Sequence, residues 1–382
     1  MHVPIIISGS GVIGNYISLR LKKNNIPSII IEKLSNSSNQ EQSIRTVTLN
    51  SYSMALLKDM NIEVKNQPVT KISVRDGEGS GAIDFDAKDI NEKNLSYVVM
   101  FDELKNKLSC HNKENTFFNA EINEINFQED NNSTEVILID GKKFTTNIVA
   151  ACDGRSSRVA KLSLLKSFNS NYEQVAFTFL VKAKNYDESI AKQIFSERGI
   201  FALMPSPKDN NMTVVWSVKN TDLEKKDYTD YVNENLSYFE KKLNTKLEIT
   251  SSILNFNLSK HYYKNYVNKT IVLLGDSAHS IHPLAGQGIN LGFADADIFC
   301  EEIIDNYKKG SNLSEKIALK RYEIRRKSLN LVMLKSMDFF VHLFGNENLY
   351  LKLIRNWGLS SVNKNKFLKT FFMKHASGFN KI

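Results

Sequence analysis

The sequence predicts an α/β (α+β) fold: a nucleotide-binding domain on a parallel sheet, interrupted by a β-sheet domain and followed by a helical C-terminal region. Three observations carry that prediction. The chain opens on a strand, a glycine-rich turn, a helix and a second strand ending in an acid. Two further apolar strands, far along the chain, run into Asp-Gly or Gly-Asp turns, which suit the ligand edge of such a sheet. Between those two strands lie short alternating apolar runs and one amphipathic helix, the pattern of an inserted sheet. At 382 residues the chain is long enough for two domains. We place the nucleotide-binding domain at 1–70, 96–170 and 268–340, the inserted domain at 71–95 and 171–267, and the C-terminal helices at 341–382.

Val3 to Ser8 form an apolar run that reads as a buried strand. Gly9-Ser10-Gly11-Val12-Ile13-Gly14 then match G-x-G-x-x-G, Tyr16 to Lys23 continue as a helix, and Ser28 to Ile31 form a strand ending in Glu32. Together these make a complete Rossmann-like βαβ fingerprint. The glycines let a pyrophosphate approach a helix N-terminus, and Glu32 stands where ribose hydroxyls need an acceptor. Leu34 to Ser43 is a polar loop, and Arg45 stands between it and a helix-like run from Asn50 to Met60. Taken alone, Arg45 reads as a surface charge rather than a cofactor contact.

Lys71 to Asp86 read as strands around a turn, and Tyr97 to Cys110 as a helix. Strands follow over Thr116–Phe127, Glu135–Ile139 and Ile148–Ala151. The last of these leads into Cys152-Asp153-Gly154, a plain turn on its own evidence, or else a carboxylate at the cofactor edge of the sheet. Glu173–Lys182, Met212–Val218 and Leu247–Leu258 read as strands, Phe195–Pro207 as two short strands and a turn, and Asp227–Leu243 as an amphipathic helix.

The densest signal is Leu274 to Gly292. An apolar strand turns at Gly275-Asp276, passes Pro283, Gly286, Gln287 and Gly288, and enters a helix at Ile289-Asn290. A helix N-terminus aimed across a glycine-rich loop presents unpaired N–H groups and a positive dipole end to an anion. His279 and His282 lie in this turn, where a structural, hydrogen-bonding role outweighs a catalytic one. Further on, Ile289, Phe293, Ala296, Phe299 and Ile303 recur at helical spacing with Asp297, Glu301 and Asp305 on another face, and Ser314–Phe344 form a long helical pattern.

Composition is that of a globular protein, 42% hydrophobic and 24% charged, with a net charge of +8. Much of the excess is in Val341–Ile382, where seven basic residues face Glu347 alone, interleaved with Trp357, Phe367, Phe371 and Phe372. Such a stretch suits a terminal helix packed on the body, or peripheral contact with an anionic membrane. No recognition motif accompanies the charge, which argues against nucleic acid. Cys110, Cys152 and Cys300 are far apart and share no metal-type spacing, so we expect reduced, buried thiols and no metal site. Ile5-Ile6-Ile7 is too short for a signal peptide, and the expected location is cytoplasmic, peripheral to the inner membrane.

Gly9-x-Gly11-x-x-Gly14, Asp153-Gly154 and Gly275-Asp276, in this order, resemble the class A FAD-dependent aromatic hydroxylases. Gly275 to Gly292, with Phe195–Pro205, Arg45–Asn50 and the tail, is similar to the UbiH-type ubiquinone-biosynthesis monooxygenases. The resemblance spans nearly the whole chain. It implies an FAD-binding domain, an inserted substrate domain, and hydroxylation of a polyprenylated phenol through a flavin C4a-hydroperoxide, with O2 and NAD(P)H or another electron donor. Gly9, Gly11, Val12, Ile13, Gly14 and Glu32 would then bind the ADP half of FAD, and Arg45 would become a cofactor contact. Asp276, beside Gly275, would hold the ribityl and pyrophosphate region, with Asp153 and Gly154 near the cofactor. Pro283, Gly286, Gln287, Gly288, Ile289 and Asn290 would border the isoalloxazine, and no protein residue is assigned as catalytic. After Asp153-Gly154 the family usually has Ser-x-Val-Arg; here Ser157-Arg158-Val159 is followed by Ala160-Lys161. The implied partners are a hydrophobic aromatic substrate and a quinone-biosynthesis complex. The alternatives are a flavin monooxygenase on another small aromatic and a flavin-binding subunit without turnover.

Overall fold

A computed structural model describes residues 1–35, 44–128, 133–208, 210–223, 227–280, 286, 288–311, 313, 316–345, 361, 363 and 365–378. Ile5-Ile6-Ile7 has no exposed side chain, as a run apolar on both faces requires when a parallel sheet is covered on both sides. It lies at the centre of a six-stranded sheet. Ser28–Ile31 and Thr116–Phe117 lie on one side, and Ile148–Ala151, Ile271–Leu273 and Val267–Asn268 on the other. All of these pairings are parallel except the last, Val267–Asn268 with Ile271–Leu273.

Helix α1 (Val12–Lys23) packs against this sheet through Tyr16, Ile17 and Leu21, all fully buried. Tyr16 meets Phe293 edge-on at 5.4 Å between ring centroids. Each such side chain contributes roughly 1.5–3 kcal/mol by leaving water. Helix α2 (Ser51–Asp59) follows the strand Thr46–Asn50 and is capped by Asn50, whose side chain accepts the Ser53 N–H at 2.9 Å. The run Tyr97–Cys110 divides. Ser96–Met100 is a strand and only Phe101–Ser109, α3, is helical, because Val98 and Val99 sit fully buried between the strands Thr46–Asn50 and Asn66–Val69. A separate antiparallel sheet is formed by Ile122–Gln128, Ser133–Leu138 and Lys143–Thr146. Ile148–Ala151 then leads into the short helix α4 (Arg158–Leu162).

A nine-stranded sheet contains Ser167–Ala183, Met212–Lys219, Gly199–Pro205 and Ile190–Ser196 as neighbours. Ile190–Ser196 pairs in parallel with Lys71–Asp76, which joins the early hairpin to the later strands. The run Leu247–Leu258 is two strands, Leu247–Ile249 and Leu254–Tyr263, both paired with Ser167–Ala183. Helix α5 (Tyr228–Leu243) covers this sheet with Tyr231, Val232 and Phe239, packed on Phe177, Phe201 and Trp216. Phe239 stacks on Phe201 at 4.2 Å between centroids.

Helices α6 (Gly288–Lys308), α7 (Lys316–Gly345) and α8 (Lys366–Ser377) complete the described chain. One expectation is corrected here. Cys110 is exposed rather than buried, at the end of α3. Asp297, on the other face of α6, is buried, 3.0 Å from Arg20 Nη2, and accepts the Tyr52 hydroxyl. An acid at helical spacing therefore turned inward because α1 and α2 supply its partners.

Candidate functional site

The two glycine-rich segments come together at one side chain. A Cβ built on Gly292 would be 3.0 Å from Ile13, and one on Gly275 would be 3.6 Å from the same side chain. Behind Ile13, the backbone is packed tightly enough to require glycine. Gly9 has φ +102°, and a Cβ there would be 2.6 Å from the Cys152 carbonyl; a Cβ on Gly14 would be 2.1 Å from Gly9 O. Gly11 differs. It is the N-cap of α1 without any side-chain cap, and a Cβ there would meet nothing within 4 Å. The first N–H groups of α1, from Val12 onward, thus begin beside open space, where a dinucleotide phosphate can sit.

That space is a cavity of about 1490 Å³. Gly11, Val12 and Ile13 line it, with Arg45, Gly154, Asp276, Gly286, Gly288, Ile289 and Asn290. Its other walls are mostly apolar, with Val69, Ile72, Val74, Ile83 and Phe85 from the early strands, Phe195, Met204 and Phe256 from the large sheet, and Met337, Leu343 and Met373 from α7 and α8, broken by Asn94, Lys192, Gln193 and Asn255. The volume exceeds the several hundred to about 1,000 Å³ usual for one small ligand, so a dinucleotide and a second molecule fit together.

The acids at this cavity separate sharply by what they already hold. Asp153 is spent on structure: it accepts Arg158 N–H at 2.9 Å, Val159 N–H at 3.3 Å and the Ser157 and Ser277 hydroxyls, which caps α4. It does not line the cavity, whereas its neighbour Gly154 does. Asp295 is fully buried and accepts Gly275 N–H at 3.1 Å, His279 Nε2 at 2.6 Å and Arg326 Nε at 2.7 Å. Burial alone would raise its pKa, but the His279 and Arg326 charges overcome this and hold the carboxyl well below the usual range. Asp276 is exposed to the cavity, and its carboxylate makes no hydrogen bond or ion pair with a described residue, although the His261 ring lies near enough to feel its charge. It is therefore available to accept ligand hydroxyls.

Glu32 holds the first glycine loop in place, Oε2 accepting Ser10 N–H at 2.7 Å and Oε1 accepting Leu34 N–H at 2.9 Å. Each carboxylate oxygen keeps a second lone pair for a ribose hydroxyl. Arg45 is exposed and lines the cavity, with its guanidinium 4.3 Å above the Phe101 ring. Asn290 is consumed by the scaffold. Its Oδ1 accepts Asn50 N–H at 2.9 Å and the Ser53 hydroxyl at 2.8 Å, and its Nδ2 donates to Thr48 O and Gly286 O. These bonds fix the start of α6 against the strand Thr46–Asn50, and a Cβ on Gly286 would be 3.1 Å from Thr48. A Cβ on Gly288 would meet nothing within 4 Å among the described residues. Pro283 and Gln287, with His282, lie outside the described residues.

Several members of this arrangement carry no motif. Ser277 joins the two acid turns, donating to Asp153 and accepting Gly154 N–H at 3.0 Å. Arg326 and Asn330 reach Asp295 from α7, and the apolar wall from α7 and α8 is far from the site in sequence. Their only sequence signal is an inward-facing polar residue within a helical pattern, which does not name its partner.

A family profile described as "FAD binding domain" matches residues 2–333. The chain is 25% identical over 389 residues to the 3-demethoxyubiquinol 3-hydroxylase of Escherichia coli (strain K12), covering 98% of each chain. It is 28% identical over 254 residues to the ubiquinone hydroxylase UbiL of Rhodospirillum rubrum, covering 66% of this chain and 59% of that protein. Among solved structures, p-nitrophenol 4-monooxygenase PnpA from Pseudomonas putida DLL-E4 superposes with a TM-score of 0.80 at 15% identity over the full length of both chains. Klebsiella pneumoniae HpxO, solved with FAD and uric acid, gives a TM-score of 0.77 at 16% identity, covering 98% of this chain and 96% of that one. At such identity these two likenesses speak to the fold.

Proposed function

We propose, from the premise that this chain belongs to the FAD-binding-domain family matched over residues 2–333, that it is an FAD-dependent monooxygenase hydroxylating the aromatic ring of a polyprenylated phenol in ubiquinone biosynthesis. The observation that carries this reading is the single cavity lined both by the glycine loop with Asp276 and by a long apolar wall. One part suits a dinucleotide and the other a ring with a hydrocarbon tail. A soluble aromatic acid would leave most of that wall unfilled.

In this reading the N–H groups of Val12, Ile13 and Gly14 take the pyrophosphate, Glu32 the ribose, Arg45 a further contact and Asp276 the ribityl hydroxyls. Bound FAD supplies the two-electron and oxygen chemistry, with NAD(P)H or another donor as reductant and O2 as co-substrate. The start of α6, at Gly288-Ile289-Asn290, offers a positive dipole end that would stabilise negative charge on a cofactor bound there. The apolar walls exclude water from the reacting ring. Asn290 and Asp295 hold that helix and the Gly275 turn in register.

The apolar wall favours this substrate class over a small polar aromatic. Mass spectrometry of the quinone precursors in a strain lacking the protein tests it. A prenylated phenol one hydroxyl short of the next intermediate should accumulate and be cleared by the wild type but not by Gly11→Ala. An unchanged precursor profile would refute the assignment. Restoration by Gly11→Ala would remove Gly11 from the cofactor site.

A further inference from the structure

We propose that the outer face of α7 is a docking surface for an anionic lipid bilayer, and that it brings the mouth of the apolar cavity to the membrane. This rests on the lipophilic-substrate reading for the identity of what enters. Along α7, Ile317, Ile324, Leu331, Val332 and Phe339 recur on one face, and Ile324, Val332 and Phe339 are 61%, 65% and 60% exposed. The stripe from Ile317 to Phe339 is about 33 Å long at 1.5 Å per residue. Such a length of apolar side chains on water-facing turns is unusual unless something covers it.

Charge selects the occupant. Exposed Lys320, Arg321 and Lys335 interleave with the stripe, Lys320 paired with Glu323 and Arg321 4.0 Å from Glu302, while of the two acids of the helix Glu323 is buried and Asp338 is half-buried and paired. Glu323 is buried and accepts Tyr266 N–H at 2.8 Å, and Asp338 holds the Tyr172 hydroxyl at 3.0 Å and Lys260 at 2.6 Å. Apolar side chains flanked by lysine and arginine, with no exposed acid, match a helix lying in the headgroup plane of an anionic bilayer. α8 repeats the chemistry with exposed Lys366, Phe367 and Lys374.

The stripe also leads to the cavity. Phe339 is both exposed and part of the cavity wall, so the cavity reaches the surface at that end of the stripe. Met337 and Leu343 of α7 and Met373 of α8 line it there, and exposed Leu254 and Phe256 line it from the strand whose Lys260 anchors Asp338. A hydrocarbon tail leaving a bilayer beside Phe339 would pass from lipid into protein without crossing water.

The test is co-sedimentation of the full FAD-loaded chain with vesicles of phosphatidylcholine alone or with added phosphatidylglycerol. The wild type should partition onto the anionic vesicles only. Ile324→Glu/Val332→Glu should weaken partitioning about tenfold or more, and Lys335→Gln about fivefold. All three forms should hydroxylate a detergent-dispersed short-chain phenol equally, since none of these side chains lines the cavity. Partitioning of the double variant equal to the wild type overturns the proposal. So does a wild type that ignores anionic vesicles but is a dimer that the double variant dissolves, because a second copy then covers the face. Partitioning is read without turnover, so a wild type that binds vesicles but hydroxylates no phenol refutes the substrate reading and leaves the docking result standing.

Discussion

Asp276 and Asp295 are both carboxylates close to the cavity, yet substitution should separate them completely. Asp276 makes no side-chain bond among the described residues, so Asp276→Ala should leave the melting temperature of the cofactor-free protein unchanged. FAD retention should fall about tenfold to a hundredfold, the effect of losing one charge-assisted hydrogen bond. Equilibrium ultrafiltration of FAD reads this, and equal retention would remove Asp276 from the site. Asp295→Asn should instead cost about 3–5 kcal/mol in denaturant unfolding, because it leaves Arg326 and His279 buried against a neutral group. The folded Asp295 carboxyl titrates below its unfolded value of about 3.9. Its contribution is therefore complete above about pH 4 and is lost as pH falls through the folded pKa, so wild-type and variant stabilities should converge in acid. A gap that widens on acidification would contradict the assignment.

At the scale of elements, the first glycine loop makes two opposite predictions. Gly14→Ala places a Cβ 2.1 Å from Gly9 O and should lower the melting temperature of the apo protein by several degrees. Gly11→Ala meets nothing and should leave that temperature alone while weakening FAD binding. The sequence made this loop legible because strand, glycines, helix and Glu32 are contiguous. It did not reveal that Asp153 is saturated by the N-terminus of α4, since an Asp-Gly turn reads identically whether its carboxylate faces a ligand or a helix. Likewise, Asn290 was legible as a residue of the α6 start but not as the clamp between α6 and Thr46–Asn50. Asn290→Ala removes four hydrogen bonds and should cost about 2–4 kcal/mol. Tyr97–Met100 misled by lying next to a true helix, where tertiary pairing overrode local pattern.

Across the whole molecule, the two large sheets are tied at the site. His279–Ser280 pairs with Leu254–Tyr263, so the segment after the Gly275 turn is an edge strand of the large sheet. Parallel pairing of Ile190–Ser196 with Lys71–Asp76 completes the apolar wall from segments over a hundred residues apart. Alternation identified those strands but not their order, because period-two patterning states which face is buried and not against what. The contribution of α7 and α8 to the cavity was invisible for the same reason: an apolar helix face does not name its neighbour. What this assembly builds is one cavity with a dinucleotide part and a hydrocarbon part, and oxygen transfer to a bound ring is the claim that follows. The direct measurement is turnover of the FAD-loaded enzyme with a prenylated phenol under ¹⁸O2, read by mass spectrometry of the product. One ¹⁸O atom in the ring hydroxyl of each product molecule is the predicted result. Reductant consumed with no labelled product would contradict it.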